Sequence, residues 1–331
     1  MEALVAPPFG RSLAGRSVLV TGAYGLIGSC LSAALVELGA RVVVLRRVPR
    51  PDSALVLDGT EVRCRVVDGD LRDERALART LADERTDAVF HLAAQAIVGT
   101  AMQSPRDTFE ANVAGTWTLM EACRAAGVQR VIAASSDNAY GPSTALPHTE
   151  DTPLRALAPY DVSKAAADLI ARSYGQTYGM AVATTRLSNV YGGGDRNRSR
   201  LIPAAVIAAL ASEPPVIRSD GFPRRDFLYV TDAVDAYLAV ADLLAAGAGR
   251  GEPFNAGAGV PLTVLEVVEL VCRLAGTGVR PEIRGSGTPA GELDEHWADA
   301  SRLRAATGWG PRVSLEDGLR RTIAWHREHS A

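Results

Sequence analysis

Between a short apolar run and the first helical pattern, this chain carries three glycines at fixed intervals: Thr21-Gly22-Ala23-Tyr24-Gly25-Leu26-Ile27-Gly28. The run before them, Ser17-Val-Leu-Val-Thr-Gly22, reads as a buried strand. A helical pattern follows from Leu26 to about Gly39. Glycines at such a junction have separate tasks. Gly22 makes the tight turn, Gly25 lets backbone approach a pyrophosphate, and Gly28 lets helix and strand pack closely. The helix N-terminus then offers unpaired N–H groups to phosphate. The spacing is GxxGxxG rather than GxGxxG. Its position still points to a dinucleotide, NAD or NADP, held by Gly22, Tyr24, Gly25, Leu26, Ile27 and Gly28.

Further strands are expected over 41–45, 62–67, 88–92, 128–134 and 181–187, with helical stretches between them, including 107–126 and 160–178. That alternation predicts an α/β fold, a Rossmann-type doubly wound parallel sheet with helices on both faces. Beyond 187 the texture changes to loops and helices over 201–211, 231–245, 263–275 and 315–328. We expect a dinucleotide-binding domain over 1–187 and a smaller, mostly helical C-terminal substrate lobe over 188–331, with an approximate boundary and some interleaving. The strand ends supply more candidates. Arg46 and Arg47 close the second strand, where an acid would bind a ribose 2′-hydroxyl and an arginine would accommodate a 2′-phosphate, so they argue for NADP. Asp70 and Leu71 can hold the adenine edge. Leu92, Ala93 and Ala94 line the floor near the nicotinamide ribose.

Of 35 basic residues, all but Lys164 are arginine. Arginine cannot lose its proton and lysine can, which singles out Tyr160-Asp161-Val162-Ser163-Lys164. Residues four apart share one helix face. An ammonium there is expected to lower the phenol's pKa, and a phenolate can take a hydroxyl proton as hydride leaves carbon. A net charge of -3 gives no footprint for nucleic acid. No apolar run approaches the roughly 18 residues of a membrane span. The first residues lack a leader's apolar core, so a cytoplasmic protein is expected. Cys30, Cys64, Cys123 and Cys272 are too dispersed for a zinc site or disulfide framework, and no metal site is visible. His91 is expected to pack at a strand end; His148, His296, His326 and His329 read as surface residues.

Further segments strengthen the pattern: His91-Leu-Ala-Ala-Gln95, Asn112-Val-Ala-Gly-Thr116, Ser135-Ser136-Asp137, Arg186-Leu-Ser-Asn189-Val-Tyr191-Gly192 and Arg225-Asp226-Phe227-Leu-Tyr229. With the glycine run and Tyr160/Lys164, these resemble the extended short-chain dehydrogenase/reductase family, specifically its NAD(P)-dependent sugar-nucleotide epimerases and dehydratases. The stretch from Gly192 through Arg200-Leu-Ile-Pro203 to Pro215-Val-Ile-Arg218 looks most like the CDP-glucose 4,6-dehydratase branch. The resemblance implies tightly held, regenerated NAD(P) and transient oxidation of C4 of a nucleotide-linked sugar. It implies that Ser136 binds the C4 oxygen, Tyr160 is the base and Lys164 tunes it, with Tyr160 and Lys164 also contacting the cofactor. Gln95, Asn189 and Arg225 would contact substrate, and Arg218 would lie near the nucleotide. Helices 107–126 and 160–178 would pair in a homodimer.

Dehydratases of this family add an acid and a base directly after the Ser/Thr. Here those positions hold Asp137 and Asn138. A neutral amide cannot act as a base. The loss favours a 4-epimerase; retained Asp137 favours a 4,6-dehydratase with another base. A 4-keto-sugar reductase and a non-catalytic cofactor-sensing protein are further alternatives.

Overall fold

The computed structural model describes residues 7–128, 130–143 and 145–329. Its centre is a seven-stranded, wholly parallel sheet. Six strands are β1 (Ser17–Thr21), β2 (Arg41–Arg46), β3 (Arg65–Asp68), β4 (Ala88–His91), β5 (Arg130–Ser136) and β6 (Ala181–Leu187). The seventh, Pro253–Ala256, comes from beyond residue 187 and joins the outer edge of β6. The order is Pro253–Ala256, β6, β5, β4, β1, β2, β3. The chain therefore builds outward in one direction from β1 and in the other from β4. In open α/β sheets the crevice at that reversal receives ligands. Register aligns the ends: Thr21 lies beside Leu45 on one side and His91 on the other. The glycine run and the Leu92–Ala94 segment thus leave the sheet at the switch point.

All five residues of β1 are buried. Helices Leu26–Glu37 and Val230–Ala245 cover one face of the sheet through Leu31, Leu35, Val234, Tyr237 and Leu238. Helices Glu74–Asp83, Gly115–Ala125 and Pro159–Tyr178 cover the other through Leu77, Leu119, Ala171 and Tyr174. A third apolar cluster joins helices Leu201–Leu210, Val264–Ala275 and Leu315–Glu328.

Two elements differ from expectation for visible reasons. Val62 is 87% exposed, and Glu61–Arg63 forms a short 3-10 turn, so the third strand starts only at Arg65. The expected helix over 107–126 is interrupted by one π turn, Glu110–Ala114, an irregularity frequent at functional sites. It buries Asn112, whose amide nitrogen donates to the Gln95 carbonyl (2.9 Å) and to Ser163 Oγ (2.8 Å), while its oxygen accepts from Gln95 N (2.7 Å). The loop after β4 is thereby clamped to the helix that carries Tyr160 and Lys164. The four cysteines are free thiols, and no described helix is long and apolar enough to cross a membrane.

The long helix Pro159–Tyr178 is fastened to the sheet by a buried ion pair. Asp168 and Arg186 of β6 meet at 2.8 and 3.0 Å, with side chains 0% and 1% exposed. Thr184 Oγ1 also donates to Asp168 at 3.0 Å, and Arg186 donates to Tyr140 Oη at 3.0 Å. Removing one partner of such a pair strands the other charge in a low-dielectric interior. Asp168→Ala is expected to lower unfolding free energy by about 3–5 kcal/mol, read by urea denaturation. A loss below about 1 kcal/mol, the value of an exposed pair, would contradict this.

Candidate functional site

The glycine loop has the geometry its sequence implies. Gly22 has φ +74, and a Cβ there would sit 2.6 Å from the Ala93 backbone nitrogen. A Cβ on Gly28 would meet the Gly22 carbonyl at 2.1 Å. Gly25 is roomier, with its nearest contact at 3.4 Å. It caps helix Leu26–Glu37 without any side-chain hydrogen bond, so the first N–H groups have no side-chain acceptor there. Gly22 and Gly28 are thus set by internal packing, whereas Gly25 leaves backbone accessible to a phosphate.

Arg46 departs from the expectation of a phosphate-seeking arginine. Its Nε and Nη2 donate to Asp68 at 2.6 and 3.0 Å, and Glu61 lies 3.7 Å away. The Arg46–Asp68 register between β2 and β3 makes the pair. Its charge is already balanced by two carboxylates, which removes the main sequence argument for NADP; Arg47 beside it is exposed. Glu61 also accepts from the Tyr24 phenol. Burial, then that bond, pushes the Tyr24 pKa up. Asp70 is held by Arg72 at 2.8 Å, and the side chain of Leu71 packs on Gly115.

Pro159 opens the long helix, where its fixed φ and missing N–H are no handicap. Tyr160 consequently stands in the first turn, beside the end of β5. The Ser136 side chain stands close enough to the phenol to act on its ionisation. Burial pushes the Tyr160 pKa up to about 12, while Ser136 and Arg200 act to lower it. One turn on, Lys164 is buried and its Nζ donates to the Ala134 carbonyl of β5 at 2.6 Å. Burial pulls its pKa down to about 8, with Asp168 opposing. The expected lowering of the phenol by the ammonium is therefore not what governs this pair. Desolvation governs both, because Lys164 is turned onto the β5 backbone.

Asn138 is not idle. Its Nδ2 donates to Asp161 Oδ1 at 3.0 Å, and burial raises the Asp161 pKa to about 6. Asp137 is 2% exposed; it accepts from Ser136 Oγ at 3.3 Å and faces His296 Nε2 at 3.3 Å. The histidines correct the sequence reading. His148, His296 and His326 are 0%, 1% and 4% exposed rather than on the surface. The His148 ring stacks on Tyr140 with centres 4.6 Å apart and lies 5.2 Å from His296. Sequence spacing could not find this cluster, since long-range folding alone brings 137, 148, 161 and 296 together. His91 behaves as expected of a packed residue: its ring lies between Thr21 Oγ1 (2.8 Å) and Thr116 Oγ1 (3.0 Å).

The expected substrate contacts divide. Gln95 is turned inward: its side chain bonds Ile97 and Thr108, so it shapes the loop. Asn189 is exposed on a short strand paired to Phe227–Tyr229. Arg225 is 13% exposed at its side chain, bonds the Arg224 and Asp294 carbonyls and pairs with Glu292 at 3.4 Å. It makes no pair with Asp226, which accepts from the Gly259 and Val260 nitrogens. Arg218 is exposed.

Residues 18–257 match the model of the NAD dependent epimerase/dehydratase family. A UDP-glucose 4-epimerase of Mycolicibacterium smegmatis is 33% identical over 321 residues, covering 94% of this chain and 99% of that protein. The structure of a UDP-glucose 4-epimerase from Thermotoga maritima with UDP-glucose superposes with a TM-score of 0.87 at 28% identity, covering 95% of this chain and 100% of that one. A dTDP-glucose 4,6-dehydratase from Streptomyces venezuelae with NAD bound gives 0.85 at 32%, covering 94% and 97%. The chain belongs to the NAD dependent epimerase/dehydratase family.

Burial sets the acid response of this region. The His148 pKa is pulled down to about 4, mainly by burial and then by His296. An unfolded histidine titrates near 6.5. As pH falls from about 6.5 to 4, the unfolded chain gains a proton that the folded one refuses, so stability is lost across that window. Neither His148 ring nitrogen makes a hydrogen bond, so His148→Phe deletes the titration and keeps the stack on Tyr140. The variant should lose stability less steeply below pH 6.5, by up to about 1.4 kcal/mol per pH unit, in urea titrations at stepped pH. Identical slopes would contradict the assignment.

Proposed function

We propose that this chain is a nucleotide-sugar 4-epimerase working with NAD. The observation that carries the reading is Tyr160 beside Ser136 at the end of β5, with buried Lys164 one turn away and a neutral amide at Asn138. Relatives named UDP-glucose 4-epimerase support it. Gly22, Gly25 and Gly28 would seat the dinucleotide, with Asp70, Leu92, Ala93 and Ala94 along its length. The ion pairing of Arg46 favours NAD over NADP. When bound, NAD supplies a reversible hydride acceptor. Ser136 orients the sugar's C4 hydroxyl; Tyr160, ionised to the phenolate with Lys164 offsetting its charge, takes the hydroxyl proton and ends as the neutral phenol. Asn189, Arg218 and Arg225 are the candidates for the substrate diphosphate and nucleotide, since arginine forks suit phosphate oxygens. Epimerisation requires only that the ketone turn over and take the hydride back on its other face. Four free thiols suit a reducing, cytoplasmic setting.

Asp137 beside His296 favours a second reading, 4,6-dehydration, with the carboxyl as acid and the imidazole as base. NMR of the products from UDP-glucose and dTDP-glucose decides between them. The epimerase reading expects the galactose epimer and no 4-keto-6-deoxy sugar; accumulation of the keto sugar overturns it. Tyr160→Phe and Lys164→Met should each lower kcat by about 10²–10⁴ while leaving NAD retained. Activity within a few-fold of the unaltered protein would remove them from the mechanism.

The protein is further proposed to act as a homodimer. Met102, Phe109, Trp117, Leu169 and Tyr178 are exposed apolar side chains on the helices of the Gly115–Ala125 and Pro159–Tyr178 face and its approach. Exposed apolar side chains joined in one patch mark an interaction site. Sedimentation should give a dimer, and the double variant Trp117→Arg/Leu169→Arg a monomer; a monomer before substitution contradicts the proposal.

A further inference from the structure

His296 reaches the site from near the end of the chain. A two-residue strand, Glu295–His296, sets it in parallel register beside Arg225. Its ring is 1% exposed, and neither nitrogen makes a regular hydrogen bond. Nε2 instead stands 3.3 Å from Asp137 Oδ2, itself without a hydrogen-bond partner. The His148 ring lies 5.2 Å from that of His296, centre to centre, and the His296 charge acts on the Asp161 carboxyl. Asp137 follows Ser136 and accepts from its hydroxyl, and Ser136 stands beside the Tyr160 phenol. Leaving a buried polar group unsatisfied is costly, and each such group in a native fold calls for a cause. Here three unsatisfied atoms converge next to the groups that would hold the C4 oxygen.

We propose that His296, oriented by Asp137, is a catalytic acid–base residue that removes and returns a proton on a carbon adjacent to C4 while C4 is a ketone. The proposal rests on the C4-oxidation reading above. The C–H bond breaks, its electron pair becomes the C=C bond of an enolate, and the proton passes to the imidazole. The negative charge falls on the C4 oxygen, within the hydrogen bonds of Ser136 and Tyr160. Asp137 offsets the imidazolium and holds the ring in place, as a carboxylate does in a catalytic triad. Return of a proton from the imidazolium restores the ketone. No oxidant or reductant is consumed in the exchange. Asn138 cannot serve, because its amide has no basic site and is engaged by Asp161.

The test supplies the ketone directly. The full-length, NAD-loaded protein is incubated in D2O with dTDP-4-keto-6-deoxyglucose, and deuterium at C3 and C5 is followed by NMR. Exchange should exceed the buffer rate by about 10²-fold or more. H296N and D137N, each checked for a cooperative melt, should each slow it at least about tenfold. An unaltered protein no faster than buffer overturns the proposal without recourse to variants. So does a rate retained in both variants, or one lost only in D161N, which would assign the chemistry to Asp161. Turnover of UDP-glucose to UDP-galactose is scored in parallel. Exchange without inversion supports this proposal and sinks the epimerase reading; inversion without exchange sinks this proposal alone.

Discussion

The buried pair between Asp168 and Arg186 is the contact on which the arrangement of this protein depends. It fixes the long helix Pro159–Tyr178 to β6, and the same helix carries Lys164 one turn earlier and Tyr160 two turns earlier. The arginine also packs its guanidinium over the Tyr140 ring, 4.9 Å from its centre. Tyr140 in turn donates to Asn255 on the seventh strand at 2.6 Å. Asn255 donates to the carbonyls of His148 and Asp299. One ion pair therefore ties the helix, the sheet edge, the loop after β5 and the C-terminal segment into one network. Charges buried this deeply are tolerated only when every partner is present, and here Thr184, Tyr140 and the bidentate geometry complete the set.

Burial at the site has chemical consequences. Burial pushes the Tyr160 phenol up to about 12 and the Lys164 ammonium down to about 8, resisting charge on both. A phenol in that condition stays protonated and can accept no proton until positive charge is brought beside it. In the proposed mechanism, proton removal from the sugar would then wait on an occupied cofactor site. The same burial keeps His148 neutral and leaves His296 facing Asp137 with nothing else to satisfy it.

Much of this was legible because it is local in sequence. The glycine run, the apolar strands and the Tyr160/Lys164 spacing each report a conformation set by near neighbours. The seventh strand escaped because Pro253-Phe-Asn-Ala256 is short, contains a proline and lies in a glycine-rich stretch. Arg46 misled because its charge is visible in sequence but the cross-strand carboxylate of Asp68 is not. The β2–β3 register, had it been counted through, would have paired them. The histidines were misjudged for a related reason. Burial of His148 and His296 depends on a bridge between 148 and 298 and on strand pairing with Arg225, contacts with no signal in spacing.

The proposed hydrogen path runs from C4 of a nucleotide sugar to the enzyme and back to the same carbon. It is tested most directly with UDP-glucose deuterated at C4 and mass spectrometry of the UDP-galactose formed in ordinary water. Retention of the label at C4, with a slowed turnover, is the predicted result. Loss of the label to solvent, or its release on free reduced dinucleotide, would contradict it.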